Sequence, residues 1–182
     1  DLVADARASP GKVSYATPGV GSVQHLSTEL LGQKIGAKMV HVPYRGSQAA
    51  LQDLLANRTS FSITNLGDVI GHIRSGQLRL LGLGDPLGKR FFPEAPMIAE
   101  VVPGFETYAW FGLCGPKGMP DAVVERWEKA IKAAVDDPTV SQKLLDNGMV
   151  PAFADSAALK KTMDENRRNY REVIRAANIK AE

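Results

Sequence analysis

A glycine-rich turn at residues 17–22 has the clearest capacity for ligand chemistry. It reads Thr-Pro-Gly-Val-Gly-Ser and lies between a predicted strand and a predicted helix. Glycine lets the backbone approach a ligand closely, and a helix start offers unpaired N–H groups with partial positive charge. Thr17 and Ser22 add hydroxyl donors. The turn predicts a carboxylate or phosphate site, although a plain strand-to-helix connection capped by Ser22 fits these residues equally well.

Two further polar loops are predicted at the same edge. Residues 43–47 follow the second predicted strand, and residues 64–65 end the third. In an α/β unit, loops that follow parallel strands meet at the carboxyl edge of the sheet, where ligands bind. Tyr44 can pack on a ligand or bond to it, whereas Arg45 is more often a solvated surface cation. The candidate ligand-binding residues are therefore Thr17, Pro18, Gly19, Gly21, Ser22, Tyr44, Arg45, Gly46, Ser47 and Thr64.

Known nucleotide and hydrolase fingerprints do not fit the turn. A dinucleotide fingerprint needs a third glycine where Gln24 stands, and an acidic residue at the end of the second strand, where residues 42–45 read Val-Pro-Tyr-Arg. The sequence also lacks the Gly-Lys-Ser/Thr of a P-loop and the Gly-x-Ser-x-Gly of a serine hydrolase. No acid–base pair emerges. Binding without catalysis is therefore favoured, and no cofactor is predicted.

Hydrophobic periodicity predicts the elements that position these loops. Strands are predicted at residues 12–17, 38–42, 59–64, 78–83 and 107–113, and helices begin near residues 22, 47, 66, 121, 138 and 156. Strand and helix alternate four times in the first half of the chain. This pattern predicts an α/β fold with a mostly parallel sheet flanked by helices. Residues 85–103 read as a loop rich in turn residues, and the C-terminal part as helices with apolar stripes.

Composition narrows the class of protein further. The chain has 182 residues, 44% of them hydrophobic, and a formal net charge of +2. Its charged residues are scattered along the chain, which disfavours nucleic acid as a partner. The one cysteine, Cys114, reads as a small core residue with no disulfide partner. The three histidines lie on separate predicted elements without metal-ligand spacing, which favours structural or surface roles and predicts no metal site.

Several motifs, in this order, resemble the Bug family, the TctC-type solute-binding proteins of tripartite tricarboxylate transporters. The segments that carry the resemblance are residues 10–26, 41–46, 65, 73–79, 110–112 and 176–180. The resemblance implies a two-lobed periplasmic-binding-protein type II fold that closes on a small organic carboxylate in the periplasm and presents it to a membrane permease. It also implies that backbone groups, hydroxyls and ordered water grip the carboxylates, through the loops that begin at residues 17 and 44.

The same resemblance implies a division of the chain. Residues 1–106 correspond to the second, ligand-gripping lobe, and residues 107–182 to a crossover strand with the helices that complete the first lobe. Residues 1–8 read as the middle of a helix without a starting Met, which favours a piece of a longer chain that lacks the family's N-terminal segment. Apolar stripes without their usual partner predict a homo-oligomer or a domain exchange.

Two alternatives stay open at this stage. An α/β enzyme could use the glycine turn to hold a phosphate, and a sensory ligand-binding domain could share the same fold. Many Bug relatives carry an acidic residue where this chain has Thr64. Its absence favours a plain carboxylate or an aromatic acid over a ligand with an amino group.

Overall fold

Two short parallel strands lie at the centre of the fold. The computed structural model describes residues 1–180, in which β1 is Ser14–Thr17 and β2 is Val40–Pro43. Their register pairs Ser14 with Val40 and Thr17 with Pro43. A third segment runs parallel to β1 on the side opposite β2, through a bridge between Tyr15 and Phe61. The loops after these segments therefore leave from one edge, as the sequence predicts.

Eight α-helices and one 3-10 helix complete the described part of the chain. They are α1 Leu2–Ala8, α2 Val23–Ile35, α3 Ser47–Leu55, α4 Leu66–Arg74, the 3-10 helix Pro86–Arg90, α5 Ile98–Val101, α6 Asp121–Asp136, α7 Pro138–Asp146 and α8 Ser156–Ala176. The predicted N-terminal cap of α2 is confirmed, because Ser22 Oγ accepts from the backbone N–H of His25 at 3.2 Å. At the other end of α2, Gly36 adopts the left-handed conformation after the last turn. Asp137 likewise caps α7 ahead of Pro138.

Three of the predicted strands are wrong as regular strands. Residues 59–64 make one bridge to β1 because serine hydroxyls take over the neighbouring backbone groups: Ser60 Oγ accepts from Ser14 N–H, and Ser62 Oγ donates to Ala16 O. Hydroxyl groups that bond to nearby backbone compete with the ladder.

The segments at residues 78–83 and 107–113 do not form regular strands, because no neighbouring strand of the described chain pairs with them along their length. In the first, Leu83 bridges Met97, and Pro96 beside it has no N–H with which to extend the ladder. In the second, the N–H of Thr107 donates to Gly84 O at 3.0 Å, and no strand follows within the described chain. Alternating apolar residues give a segment a surface that suits a sheet. The segment forms a strand only where a neighbouring segment pairs with its backbone.

The described chain forms two compact units. Unit 1 comprises residues 1–109 with the segment from Tyr170 onward, and unit 2 comprises residues 110–169. Unit 1 has a hydrophobic core of Ala6, Val13, Tyr15, Leu31, Ile35, Phe61, Val102 and Phe105. The predicted lobe boundary at residue 106 stays a prediction, as does the assignment of each part to a lobe.

Unit 2 consists mainly of helices α6, α7 and most of α8, and none of its residues is buried. Cys114 is exposed, so its interpretation as a core residue is wrong. The apolar neighbour that suggested burial, Leu113, is itself 69% exposed. No helix of the described residues has the length and apolar character to cross a membrane.

Candidate functional site

The first two loops are joined to each other where β1 and β2 end. The N–H of Tyr44 donates to Thr17 O and the N–H of Gly46 donates to Pro18 O, each at 2.9 Å. Gly19 lies so close to the second loop that a Cβ built on it would sit 3.5 Å from Tyr44 O. The structure therefore brings together the two loops that the sequence singled out. Thr64 and Asn65 follow the segment beside β1 and lead into α4.

Several backbone N–H groups of these loops have no partner in the described chain. They belong to Gly19, Val20, Arg45 and Ser47. Other amides of the same loops are already used, because Gly21 donates to His25 and Ser22 donates to Gly19 O at 3.3 Å. Unpaired N–H groups next to the starts of α2 and α3 form a set of donors with partial positive charge. Such a set suits an anion.

The two hydroxyl groups of the glycine turn hold the turn in place. Thr17 is fully buried, and its Oγ1 lies 2.6 Å from His41 Nε2 and 3.3 Å from Gly19 O. Ser22 Oγ donates to Gly19 O at 2.8 Å while it accepts from His25 N–H. Both hydroxyls thus have internal partners in this structure, and the backbone amides are the free donors. That Thr17 and Ser22 contact a ligand stays a prediction.

Tyr44 is held by the helix that follows it. Its hydroxyl donates to Asp53 Oδ2 at 2.7 Å, and Arg58 donates to the other carboxylate oxygen at 2.8 Å. Burial and the Asp53 carboxylate raise the pKa of Tyr44, while the hydrogen bonds from Tyr44 and Arg58 lower the pKa of Asp53. The negative charge of Asp53 is therefore paired with Arg58, which follows α3. Arg45 is exposed and makes no ion pair within residues 1–180.

Sequence reasoning missed a pair of stacked histidines beneath the turn. The rings of His25 and His41 lie 3.8 Å apart between centroids and within 11° of parallel. Tyr15 stacks on His41 at 5.0 Å and its hydroxyl donates to Glu29. One signal was available, since pairing β1 with β2 in register places His41 beside Tyr15. The position of His25 in the first turn of α2 gave no such indication.

No group of three or more possible metal-ligating side chains lies close together among the residues described. Burial lowers the pKa of both histidines, to about 4 for His41, and the neighbouring Glu29 partly offsets this for His25. At neutral pH the pair is uncharged. The unpaired amides of the two loops thus lie next to a pair of neutral, stacked rings.

The chain is similar in sequence to a family of bacterial receptors. The family model described as TctC, tripartite tricarboxylate transporter family receptor, matches residues 1–179. A Pseudomonas protein from the tcbD-tcbE intergenic region is 38% identical over 153 residues, which are 83% of this chain and 46% of that protein. BugT of Bordetella pertussis is 34% identical over 154 residues, or 84% of this chain and 47% of BugT. The chain thus spans about half the length of these curated relatives.

Solved structures share its fold. An R. palustris protein with adipate superimposes with a TM-score of 0.90 at 29% identity, over 98% of this chain and 60% of that protein. MatC from Rhodopseudomonas palustris with bound malate gives a TM-score of 0.81 at 25% identity, over 95% and 60% of the two chains. These likenesses confirm the predicted α/β fold of the periplasmic-binding-protein kind. With a family model that spans residues 1–179, the chain belongs to the TctC family of tripartite tricarboxylate transporter receptors.

Proposed function

We propose that this chain binds a small organic carboxylate as part of an extracytoplasmic receptor for a tripartite tricarboxylate transporter. The observation that carries the proposal is the set of free N–H groups of Gly19, Val20, Arg45 and Ser47 around two joined loops. Carboxylate oxygens accept such bonds without a covalent step. The relatives with adipate and with malate support a linear dicarboxylate as the class of ligand.

The chemistry of the edge favours binding over catalysis. The Asp53 carboxylate on α3 is engaged by Tyr44 and Arg58. A general base needs a free group within reach of a substrate proton, and both histidines serve internal bonds. The residue before Asn65 is Thr64, so the edge offers no carboxylate there for a ligand ammonium group. The ligand is thus proposed to be a plain acid.

The whole receptor would have a second side of its cleft and a partner in the membrane. Because the chain spans about half of its curated relatives, we assign to residues 1–106 the ligand-gripping side and to residues 107–182 a contribution to the other lobe. The proposed setting is the periplasm, and the proposed partner is the permease of the transporter.

Titration calorimetry with adipate tests the proposal, with the neutral diamide of adipate as the matched control. We expect saturable binding of the diacid, weakened little by moderate salt because the donors are amides, and none of the diamide. A longer version of the protein that includes an upstream segment should bind more tightly, since it would surround more of the ligand. One result would contradict the receptor function and favour a phosphate-binding enzyme. In that result, ATP or inorganic phosphate gives a heat of binding, and no carboxylate does so with either version of the protein.

We further propose that unit 2 associates with a second copy of the chain. Phe111, Leu113 and Trp127 are 76%, 69% and 56% exposed, an unusual concentration of large apolar side chains on one small unit. Sedimentation velocity should show a dimer that weakens on dilution, and Trp127→Glu should shift it toward monomer. Glu128→Gln on the same helix provides a control that leaves the apolar surface intact. A monomer at every concentration tested would refute this association.

A further inference from the structure

We propose that His25 is a positioning residue for the glycine turn, and that protonation of the stacked pair of His25 and His41 releases the turn. His25 Nδ1 accepts the backbone N–H of Gly21 at 3.1 Å. The ring is 5% exposed and stacks on His41, so its orientation is fixed by packing. The expected effect of protonation on ligand affinity rests on the proposed function of the turn. The dependence of the turn's conformation on the His25 ring does not rest on that function.

The hydrogen bond from Gly21 exists in one protonation state alone. A backbone N–H can only donate, so Nδ1 must present its lone pair, and the ring proton of His25 resides on Nε2. An imidazolium carries a proton on both nitrogens and cannot accept this bond. Protonation of His25 therefore removes the acceptor of the Gly21 N–H. It also places the new Nδ1–H of the ring close to the Gly21 N–H, so that the two donors repel each other.

This bond determines which amides of the turn are free. Gly21 has a φ of 75°, in the region that favours glycine, and its amide is turned inward to His25. On the other side of the turn, Gly19 O accepts from Ser22 Oγ and Ser22 N. With both sides of the turn fixed, two of its backbone amides, those of Gly19 and Val20, have no internal partner among residues 1–180. His25 thus acts on the ligand edge through Gly21, without contacting a ligand.

The second ring extends the same support to β1. His41 Nε2 lies 2.6 Å from Oγ1 of Thr17, which ends β1 and begins the turn. A charge on one ring disfavours a charge on the other, because their centroids are 3.8 Å apart. The titratable groups that face the pair are Tyr15 on β1 and Glu29 on α2, and Phe61 closes the cluster with an apolar face.

The direction of the pH effect follows from burial. The pKa of each histidine in the folded chain lies below the ordinary value of about 6.5 for the unfolded chain. Their contribution to stability is then complete above that ordinary value and is lost as the pH falls toward the folded pKa. Acidification below the ordinary value is therefore expected to weaken the hydrogen bonds that hold the turn.

NMR of the native chain and of three variants tests the inference without any ligand. Between about pH 8 and about pH 4, we expect the Gly21 amide resonance to move with the same midpoint as the His25 ring. In His25→Asn, whose side-chain oxygen can replace Nδ1 as acceptor, the amide should keep its neutral-pH position and lose that titration. In His25→Leu, its hydrogen exchange should accelerate by about tenfold, the change expected for one lost hydrogen bond.

His72→Asn is the control, because His72 lies on α4 and bonds to Gln77 instead of to the glycine turn. It should leave the Gly21 titration unchanged. A Gly21 resonance that still titrates in His25→Asn, or that loses its titration in His72→Asn, would overturn the inference. Adipate titrations of the same proteins separate the two proposals: if adipate never binds while Gly21 still follows His25, the proposed function fails and the positioning role is upheld.

Discussion

Replacement of Phe105 by alanine is expected to remove about 3–5 kcal/mol from the free energy of unfolding of unit 1. Phe105 is 1% exposed and belongs to the core that packs around β1 and α2. Truncation removes a large ring and leaves a cavity that its neighbours fill only in part. A domain of this size has a total stability of about 5–15 kcal/mol, so the variant would retain little margin.

Hydrogen exchange of the slowest amides of α2 measures this effect within unit 1. Phe111→Ala is the matched control, because the same ring is 76% exposed there and its loss should change stability by less than about 0.5 kcal/mol. Equal effects of the two substitutions would show that Phe105 is not a core residue of unit 1.

The site illustrates what patterns in a sequence can and cannot predict. Residues 17–22 and 43–47 are local features, defined by glycine, proline and hydroxyl residues next to one another, and parallel pairing of two strands suffices to bring them together. The cap at Ser22 is local too, which is why it was predicted at the correct residue.

Long-range contacts account for what was missed. The stack of His25 on His41 needs the register of two strands and the rotation of α2 about its axis, and neither is encoded in the spacing of histidines. Strand predictions at 59–64, 78–83 and 107–113 failed for the same reason, because alternation of apolar residues cannot tell whether a neighbour will pair. Cys114 was misplaced because its apolar neighbours are themselves exposed.

The sequence also could not predict which groups of the turn make internal hydrogen bonds and which stay free. Thr17 and Ser22 are predicted to donate to a ligand, and that prediction is still untested; in this structure their hydroxyls bond to His41 and to Gly19 O. A hydroxyl next to a glycine turn serves equally well as donor or as internal support, and only the buried neighbours decide between the two. The same neighbours leave the backbone amides as the free donors, which is how an edge without a basic clamp can hold an anion.

Gly46→Ala is expected to weaken carboxylate binding by about tenfold or more and to cost about 1–3 kcal/mol of stability. Gly46 has φ 102° and ψ 163°, a conformation essentially confined to glycine, although no atom within 4 Å would obstruct a Cβ. The cost therefore comes from the backbone itself, and relief of that strain would move Gly46 N–H from Pro18 O and Ser47 N–H from the edge.

Gly76→Ala is the control that separates the effect of backbone strain on stability from the effect of the second loop's geometry on binding. Gly76 has φ 77°, its Cβ would also meet open space, and it follows the end of α4 opposite to the end that meets the edge. It should cost about 1–2 kcal/mol of stability while the affinity for adipate, measured by calorimetry, stays unchanged. If both variants bind adipate like the native chain, the second loop does not contribute its amides to the ligand. If Gly46→Ala alone loses affinity, the joined loops at the end of β1 and β2 are the grip, and the anion is held by the backbone.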